Sequence, residues 1–568
     1  MLETQQDILE TKAGIFGIRD AFRKTGRSVP ILVHIALDKN GRMLMGTDVI
    51  AACSILEGLE VDCIGIDCSF GPEEMREFIR ILAENCSRHV GCVPNAGLPE
   101  NRDGVPYYPL GPVEMAESLA GLAQQYGIDI IGGCCGTTPE HIRAIHERLK
   151  HMKPVKRRVE RLPCVSSPFK RVLLHQEPKP LVIGERLNVA GSKKTKEMVE
   201  KGDYQGLASI ASEQESRGCH LLDVCMAGPE EKERMVKTVR LLSQSVEAPL
   251  VIDSRDEEVI EAALEVYPGR GVVNSVNLEK GRESLSRTLS IVKEYGACVV
   301  AMTITESGMA LTAEDKLKAA ARIREISDEC GLAASDLLFD CLTLPLCTGD
   351  EKYRESARET LEGIGKIKEA LPDVMTILGI SNVSYGLNSE ARIILNSVFL
   401  YHAIRHGLDA AIVNAGEIIP YREISARERE LCENLIFNRE KNPLSDLMES
   451  IRAKERLREV RKESPPEPSV EGAIKSRILN RTPQGLEELL ERALRAMSAE
   501  KIISKILLPA MEEVGRRFDS GEMILPFVLQ SAEVMSRATG YLERHLGKEK
   551  VKERGKLVLA TVFGDVHD

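Results

Sequence analysis

The chain has 568 residues and a formal net charge of −11, with 76 lysine and arginine residues against 87 aspartate and glutamate residues. This acidic balance excludes the basic footprint of a nucleic-acid binder. No apolar run is long enough to span a membrane, and residues 1–14 lack the features of a secretory signal. We therefore expect a cytoplasmic protein without nucleic-acid or membrane partners, whose 15 cysteines serve as thiols for packing or metal binding.

The first segment, residues 1–150, alternates strand-like apolar runs with helical stretches. Four runs are complete, and a fifth strand is indicated at the start; they lie at residues 1–4, 31–37, 63–69, 89–95 and 128–135. A closed (β/α) barrel needs about 250 residues. The segment therefore predicts a partial (β/α) barrel.

Three cysteines stand where two of these runs end. Cys68 follows one run, and Cys134 and Cys135 follow another. The ends of barrel strands meet at one mouth, and three thiolates with one open position are typical of a catalytic zinc ion. The open position suits a substrate thiol, which metal coordination deprotonates. The alternative is three small buried apolar side chains, the usual role of free cysteine.

Two linkers are expected, at residues 151–180 and 441–470, because residues 151–180 and 461–470 are rich in proline and charged residues. Such composition buries little surface, so we expect solvated tethers. The lysine and arginine residues of the first stretch leave a nucleic-acid patch as an alternative, which the acidic balance of the whole chain disfavours.

Residues 181–440 contain eight apolar runs separated by amphipathic helical patterns. The runs lie at residues 181–187, 221–228, 249–254, 271–276, 297–305, 337–345, 375–382 and 410–416. Eight strand–helix units over this length predict a complete (β/α)8 TIM barrel. A doubly wound open sheet is the structural alternative.

A polar residue stands at or just after the end of each of these eight runs. The residues are Asn188, Asp223, Asp253, Asn274, Thr303, Asp340, Asn382 and Asn414. Barrel strands end at the face where active sites lie, and carboxylates and amides suit the donor–acceptor edge of a flat heterocycle. The alternative for any one of them is a turn-forming role.

The last part of the chain changes to helical periodicity. Residues 471–550 predict an α-helical bundle, and residues 551–568 contain one strand followed by the tetrapeptide Asp565-Val566-His567-Asp568. On pattern alone, an ordinary four-helix bundle would explain the helices.

Several of these motifs resemble cobalamin-dependent methionine synthases. GIDCSFGPEEM and IIGGCCGTTPEHI are similar to the homocysteine-binding barrel of that family, and GERLNVAGS and GISNVSYGLN to its methyltetrahydrofolate-binding barrel. LLPAMEEVGRRFDSGEMILPFVLQ resembles the helical cap over cobalamin, and GDVHD the start of the cobalamin signature D-x-H-x-x-G.

The resemblance implies a methyl relay from 5-methyltetrahydrofolate through cobalamin, as methylcobalamin, to homocysteine. It also implies a role for individual residues. Zinc would be held by Cys68, Cys134 and Cys135. The pterin would be bound by Asn188, Asp223, Asp253, Asp340 and Asn382, of which Asn382 and Asp340 would be catalytic. Cys225 stands where the family commonly has asparagine.

For cobalamin, the resemblance implies His567 as the lower axial ligand and Asp565 as the residue that sets its tautomer. The cap residues facing the cofactor would be Met523, Ile524 and Leu525. The resemblance also implies a chain that begins inside the homocysteine barrel and ends inside the cobalamin domain, with a reactivation domain or a reductase as a possible partner.

Two other functions stay open at this stage. One is a methyltetrahydrofolate:corrinoid protein methyltransferase, which would not need the three cysteines. The other is a non-catalytic corrinoid-binding remnant.

Overall fold

The computed structural model describes residues 1–347, 351–440, 443–459, 469–519 and 525–545. The chain divides into two compact units, residues 1–464 and residues 465–568. Among the described residues, no helix is both long and apolar enough to cross a membrane.

The first part of unit 1 is an open sheet of five parallel strands, arranged in space in the order in which they occur in the chain. The strands are Leu2–Gln5, Leu32–Ile35, Cys63–Asp67, His89–Val93 and Ile130–Ile131. The helices between and after them are Ile8–Thr25, Val49–Gly58, Arg76–Asn85, Pro112–Tyr126 and Pro139–Leu149. A hairpin, Glu100–Arg102 with Val105–Tyr107, precedes the fourth helix. The predicted partial barrel is confirmed.

Eight parallel strands of unit 1 close into a barrel, which confirms the predicted (β/α)8 architecture. They are Leu181–Asn188, Leu221–Cys225, Leu250–Asp253, Val272–Val276, Cys298–Met302, Leu337–Asp340, Met375–Gly379 and Ala410–Val413. The helices around them are Lys193–Glu200, Tyr204–Ser216, Glu231–Ser245, Glu257–Val266, Arg282–Glu294, Ala313–Glu329, Ser356–Ala370, Ser389–Arg405 and Ala426–Ile436. Pairing of Leu181 with Ala410 joins the last strand to the first.

The barrel interior changes from apolar to polar along the strands. One buried cluster contains Leu221, Val251, Val272 and Leu338 at the start of four strands. Side chains alternate across a strand, so the residue two positions further on points to the same side. Those residues are Asp223, Asp253, Asn274 and Asp340. Period-two alternation therefore carries the polar residues to the inside of the barrel mouth.

The predicted tether at residues 151–180 is partly wrong. An antiparallel hairpin, Cys164–Ser166 with Arg171–Leu173, is buried beneath the barrel. Its residues Val165, Val172 and Leu174 join the apolar cluster inside the strands. The apolar positions of the hairpin fill the end of the barrel opposite the mouth, and this burial outweighs the charged composition of the segment.

The predicted linker at residues 441–470 also begins with structure. Helix Pro443–Glu459 places the buried residues Leu447 and Ile451 in the core cluster of the barrel. The boundary between the two units falls later, between Ser464 and Pro465, within the proline-rich stretch.

The five-stranded segment packs directly against the barrel within unit 1. The Nζ of the buried Lys12 donates to the carbonyl oxygens of Tyr267, at 2.6 Å, and Gly269, at 3.3 Å. Two glycines, Gly58 and Gly296, bring the backbones together. A Cβ atom on Gly58 would lie 2.7 Å from Nε of Arg270 and 2.8 Å from the carbonyl oxygen of Gly296.

Unit 2 is helical as predicted. Its helices are Val470–Leu479, Leu486–Leu494, Ala499–Ile502, Leu508–Asp519 and Leu525–Glu543, with a wider turn at Ile503–Leu507 that joins the third helix to the fourth. The apolar face of these helices is buried, including Ile478, Leu490, Ile502, Leu507 and Val514.

We predict that Gly58→Ala destabilises unit 1 by about 1–3 kcal/mol, because the added methyl group forces apart two packed backbones. Gly17→Ala is the matched control: Gly17 lies in helix Ile8–Thr25 and faces open space. Alanine there should be neutral or slightly stabilising. Denaturant unfolding of the full chain measures both. Equal stability of the two variants would contradict a tight Gly58–Gly296 contact.

Candidate functional site

The three predicted zinc ligands lie together at the carboxyl ends of two strands. The Sγ atoms of Cys68 and Cys135 are 3.4 Å apart, and those of Cys134 and Cys135 are 4.0 Å apart. All three sulfur atoms lie within 4.8 Å of one another, and all three residues are partly exposed. The sulfur atoms can therefore bind one metal ion that is open to a substrate.

The backbone around Cys134 and Cys135 is tied to the loop that follows strand His89–Val93. The Cys134 N–H donates to the carbonyl of Pro94 at 2.8 Å, and the Cys135 N–H donates to Oδ1 of Asn95 at 3.2 Å. Cys68 itself has a positive φ of 44°, which is uncommon outside glycine. The surrounding contacts thus hold the thiols in place.

Tyr108 lies beside the thiols, and sequence reasoning did not identify it. A Cβ atom on Gly136, which has φ 79°, would collide with the Tyr108 side chain. Hydrogen bonds from Cys68 and from the Tyr108 hydroxyl lower the pKa of the Cys135 thiol. Burial and the neighbouring thiols raise the pKa of Cys68 to about 12. A divalent cation would stabilise all three as thiolates.

A second group of possible ligands, Cys53, Glu57 and Cys86, is fully buried in the same segment. The Glu57 carboxylate already accepts hydrogen bonds from the N–H and hydroxyl of Ser87, at 2.5 and 2.7 Å. The Cys53 and Cys86 sulfur atoms contact backbone carbonyls at 3.9 and 3.7 Å. Internal partners therefore account for this cluster as packing.

At the barrel mouth, Asp223 and Asp253 form a carboxyl pair, in which Asp223 is buried and Asp253 is partly exposed. Asn274 Nδ2 donates to Asp223 Oδ1 at 3.2 Å, and Asn188 Nδ2 lies 3.5 Å from Asp253 Oδ2. Cys225 also hydrogen-bonds to Asp253. The structure therefore brings four of the predicted polar residues together.

The pKa values of both carboxyl groups are raised. Burial, followed by the charge of Asp253, raises the pKa of Asp223 well above its usual range. Burial also raises the pKa of Asp253 to about 6. A neighbouring negative charge disfavours ionisation of a buried carboxyl group, so the charge of Asp253 favours the protonated form of Asp223. The pair can therefore present a donor and an acceptor side by side.

Asp340 is the third carboxyl group of the mouth. The N–H of Leu342 donates to Asp340 Oδ1 at 2.7 Å, and burial raises the pKa of Asp340 to about 6. The backbone carbonyl of Asp340 accepts from the N–H and hydroxyl of Thr303, at 3.0 and 3.1 Å.

Asn382 lies in the turn Ile380–Ser384, which follows strand Met375–Gly379, and its side chain is exposed. Asn414 follows the last strand, and its Oδ1 accepts from the N–H of Gly416 at 3.2 Å. This contact is the turn-forming role that the sequence left open for each residue.

Sequence reasoning missed Glu185, whose carboxylate connects two of these loops. It accepts a hydrogen bond from the hydroxyl of Ser381 at 2.7 Å and another from the backbone N–H of Asn414. Burial raises the pKa of Glu185. The available signal was the alternation Leu181, Ile183, Glu185, which points the carboxylate to the same side as the two apolar residues.

Most of the residues predicted to bind cobalamin lie outside the described residues. These are Met523, Ile524, Asp565 and His567. Leu525 begins the helix Leu525–Glu543.

We predict that Asp253→Asn stabilises the substrate-free protein by about 1–3 kcal/mol at pH 8. In the wild type, the folded-state pKa of about 6 exceeds the ordinary value of 3.8, so folding binds protons between these values. Wild-type stability therefore falls as the pH rises through this window. The gain in unfolding free energy of Asp253→Asn over the wild type should reach its full value above pH 6 and vanish near pH 4. Chemical denaturation across pH measures it, and an advantage that is constant over pH 4–8 would contradict the assignment.

Comparison with known proteins gives a match for each part of the chain. Residues 1–149 match the homocysteine S-methyltransferase family, residues 184–414 the pterin binding enzyme family, and residues 470–543 the B12 binding domain. Among solved structures, dihydropteroate synthase from Stenotrophomonas maltophilia matches 44% of this chain and 92% of its own, with 17% identity and a TM-score of 0.34. A TM-score this low supports no inference about function.

Two curated relatives match the whole chain. Methionine synthase of Mycobacterium tuberculosis (strain ATCC 25618 / H37Rv) is 40% identical over 581 residues, and that of Mycobacterium leprae (strain TN) is 40% identical over 589. Both alignments cover 100% of this chain and 49% of the relative, so the chain spans about half the length of these relatives. The resemblance found in the sequence motifs is confirmed, since this chain is similar to these methionine synthases along its whole length.

Proposed function

We propose that this chain takes part in methyl transfer from 5-methyltetrahydrofolate, through cobalamin, to homocysteine. The observation that carries the proposal is the presence of two chemically different strand-end sites in one unit. One offers three thiols and the other a carboxyl pair. A thiol substrate and a pterin need different recognition chemistry, and the two sites supply it separately.

Cys68, Cys134 and Cys135 would hold zinc and leave one position for the homocysteine sulfur. Their three sulfur atoms within 4.8 Å form a soft donor set that fits this ion. Zinc, when bound, supplies the positive charge that keeps a coordinated thiol deprotonated at neutral pH. Partial exposure of the three cysteines leaves room for the substrate.

Asp223, Asp253, Asn188 and Asp340 would bind the pterin ring at the barrel mouth. The raised pKa of Asp223 favours its protonated form, which can donate to the edge of the ring, and the Asp253 carboxylate can accept from it. Burial makes these hydrogen bonds strong, because little water competes for them. The group orients the ring for reaction.

Asn382 would act on N5 of the pterin as the methyl group leaves. A tertiary amine is a poor leaving group, so a hydrogen bond that strengthens as charge develops at N5 accelerates the reaction. Its side chain is exposed at the mouth, where a ligand can reach it. Cobalamin, when bound, supplies the metal centre that carries the methyl group between the two substrates.

We predict that Asn382→Ala lowers kcat for methyl transfer to added cob(I)alamin by at least about tenfold, with a much smaller change in KM. Asp223→Asn should mainly weaken pterin binding, because the Asp223 side chain would contact the pterin both in the bound substrate and in the transition state. Asn434→Ala, a partly buried asparagine on the outer helix Ala426–Ile436, is the matched control. Steady-state kinetics with the full chain test this prediction. Unchanged kcat in Asn382→Ala would remove Asn382 from the mechanism.

We predict that Cys68→Ala and Cys135→Ala each weaken metal binding at least about tenfold, since each removes one of three ligands. Cys92→Ala is the control, because Cys92 is buried in strand His89–Val93 away from the cluster. Titration with Co²⁺, read by sulfur-to-cobalt charge-transfer absorption, reports thiolate ligation directly. The ligand assignment would fail if Cys68→Ala gave the wild-type titration curve.

A further inference from the structure

Lys316 is a buried lysine on the outer helix Ala313–Glu329, and its ammonium group lies beneath the barrel mouth. The residue is 2% exposed. Its Nζ donates to the carbonyl oxygen of Ala310 at 2.9 Å and also to that of Cys341. Burying an ammonium group costs folding free energy even when it is hydrogen-bonded. The contacts that Lys316 makes therefore indicate a structural role for it.

The two carbonyls belong to loops that follow neighbouring strands. Ala310 lies after strand Cys298–Met302, and Cys341 directly follows strand Leu337–Asp340. The N–H of Ala310 donates to the carbonyl of Thr303 at 3.1 Å, and Thr303 donates to the carbonyl of Asp340. Lys316 therefore connects the loop that follows Asp340 to the loop that follows the neighbouring strand Cys298–Met302.

The loop after Asp340 has a strained conformation that needs such support. Leu342 has φ 60°, a left-handed value that is unfavourable for a residue with a Cβ atom. This conformation accompanies the 2.7 Å hydrogen bond from the Leu342 N–H to Asp340 Oδ1. Lys316 holds the carbonyl of Cys341, and the hydroxyl of Thr360 donates to the carbonyl of Leu342 at 2.7 Å.

A glycine on the neighbouring helix makes room for the lysine. Gly363 lies within helix Ser356–Ala370, and a Cβ atom there would be 2.8 Å from Cδ of Lys316. Gly365, two residues further on, would make only an ordinary 3.8 Å contact with the carbonyl of His406. A glycine within a helix lowers the stability of that helix. At position 363 a glycine is needed because a larger side chain would block the path of Lys316.

We propose that Lys316 is a positioning residue for the pterin site, which orients the Asp340 carboxylate by holding the loop that follows it against the loop after the neighbouring strand. This inference rests on the proposed function, in which Asp340 binds the pterin. A charged donor suits the position because the carboxylates of Asp340 and Glu359 are both near the ammonium. Glu359 also accepts from the N–H of Ala313 at 2.7 Å, at the start of the helix that carries Lys316.

The test is a double-mutant cycle with the full chain, in which methyltetrahydrofolate binding is measured by calorimetric titration. Lys316→Met keeps an unbranched side chain, one atom shorter, and removes the donor. We expect Lys316→Met and Asp340→Asn each to raise Kd about tenfold. The double variant should be little weaker than Asp340→Asn alone, because Lys316 acts through Asp340. A general loss of stability would instead give additive effects.

Additive effects, or wild-type affinity in Lys316→Met, would overturn the inference while leaving the proposed function intact. Absence of binding by the wild-type chain would instead contradict the proposed function.

Gly363→Ala and Gly365→Ala provide a second test if Lys316→Met does not fold. Gly363→Ala should displace Lys316 and raise Kd several-fold, and Gly365→Ala should bind as the wild type does. Equal affinity of the two alanine variants would overturn the inference.

Discussion

The buried guanidinium of Arg270 joins the parts of unit 1. Its Nε donates to the carbonyl of Gly296 at 2.8 Å, one Nη donates to the carbonyl of Cys164, and the other pairs with Asp336 Oδ1 at 2.7 Å. Although burial alone would raise the pKa of Asp336, Arg270 and Arg161 lower it. A buried ion pair is tolerated only when its remaining hydrogen bonds are satisfied. The three nitrogen atoms of Arg270 each have an oxygen acceptor here, and they connect the buried hairpin and the barrel at the point where the first sheet segment packs.

The two ends of the barrel have opposite energetic roles. Apolar side chains fill the end beside Arg270, and the hairpin residues Val165 and Leu174 complete that layer. Buried carboxyl groups occupy the mouth, where the pKa of Asp253 and the pKa of Asp340 are both raised to about 6 by burial. Above pH 6 these carboxylates lower the stability of the ligand-free barrel, and in the proposed function a polar ligand would offset that cost. The apolar layer and the ion pair below offset that cost. The starts of the strands therefore stabilise the fold, and their carboxyl ends carry the polar groups of the mouth.

Much of this architecture could be predicted from local sequence. The eight strands, the sheet segment and the three clustered thiols follow from apolar periodicity and from the residues at strand ends. The hairpin at residues 164–174, the helix Pro443–Glu459 and the roles of Glu185 and Lys316 could not, because each depends on partners distant in the chain. A lysine in an amphipathic helix is normally exposed; only the fold reveals that Gly363 leaves space for Lys316 to reach inward.

The thiol site depends on long-range contacts in a different way. Cys134 and Cys135 follow Ile130–Ile131, a two-residue strand at one edge of the sheet, whereas Cys68 follows the central strand Cys63–Asp67. The edge strand has few ladder hydrogen bonds of its own, and the contacts of the loop at Pro94 and Asn95 supply the rest. A metal ion bound by all three sulfur atoms would add a link between the edge and the centre of the sheet. Metal binding there would therefore stabilise the same strand ends that create the site. The metal affinity of the site would then depend on how firmly the edge strand Ile130–Ile131 is held in the sheet.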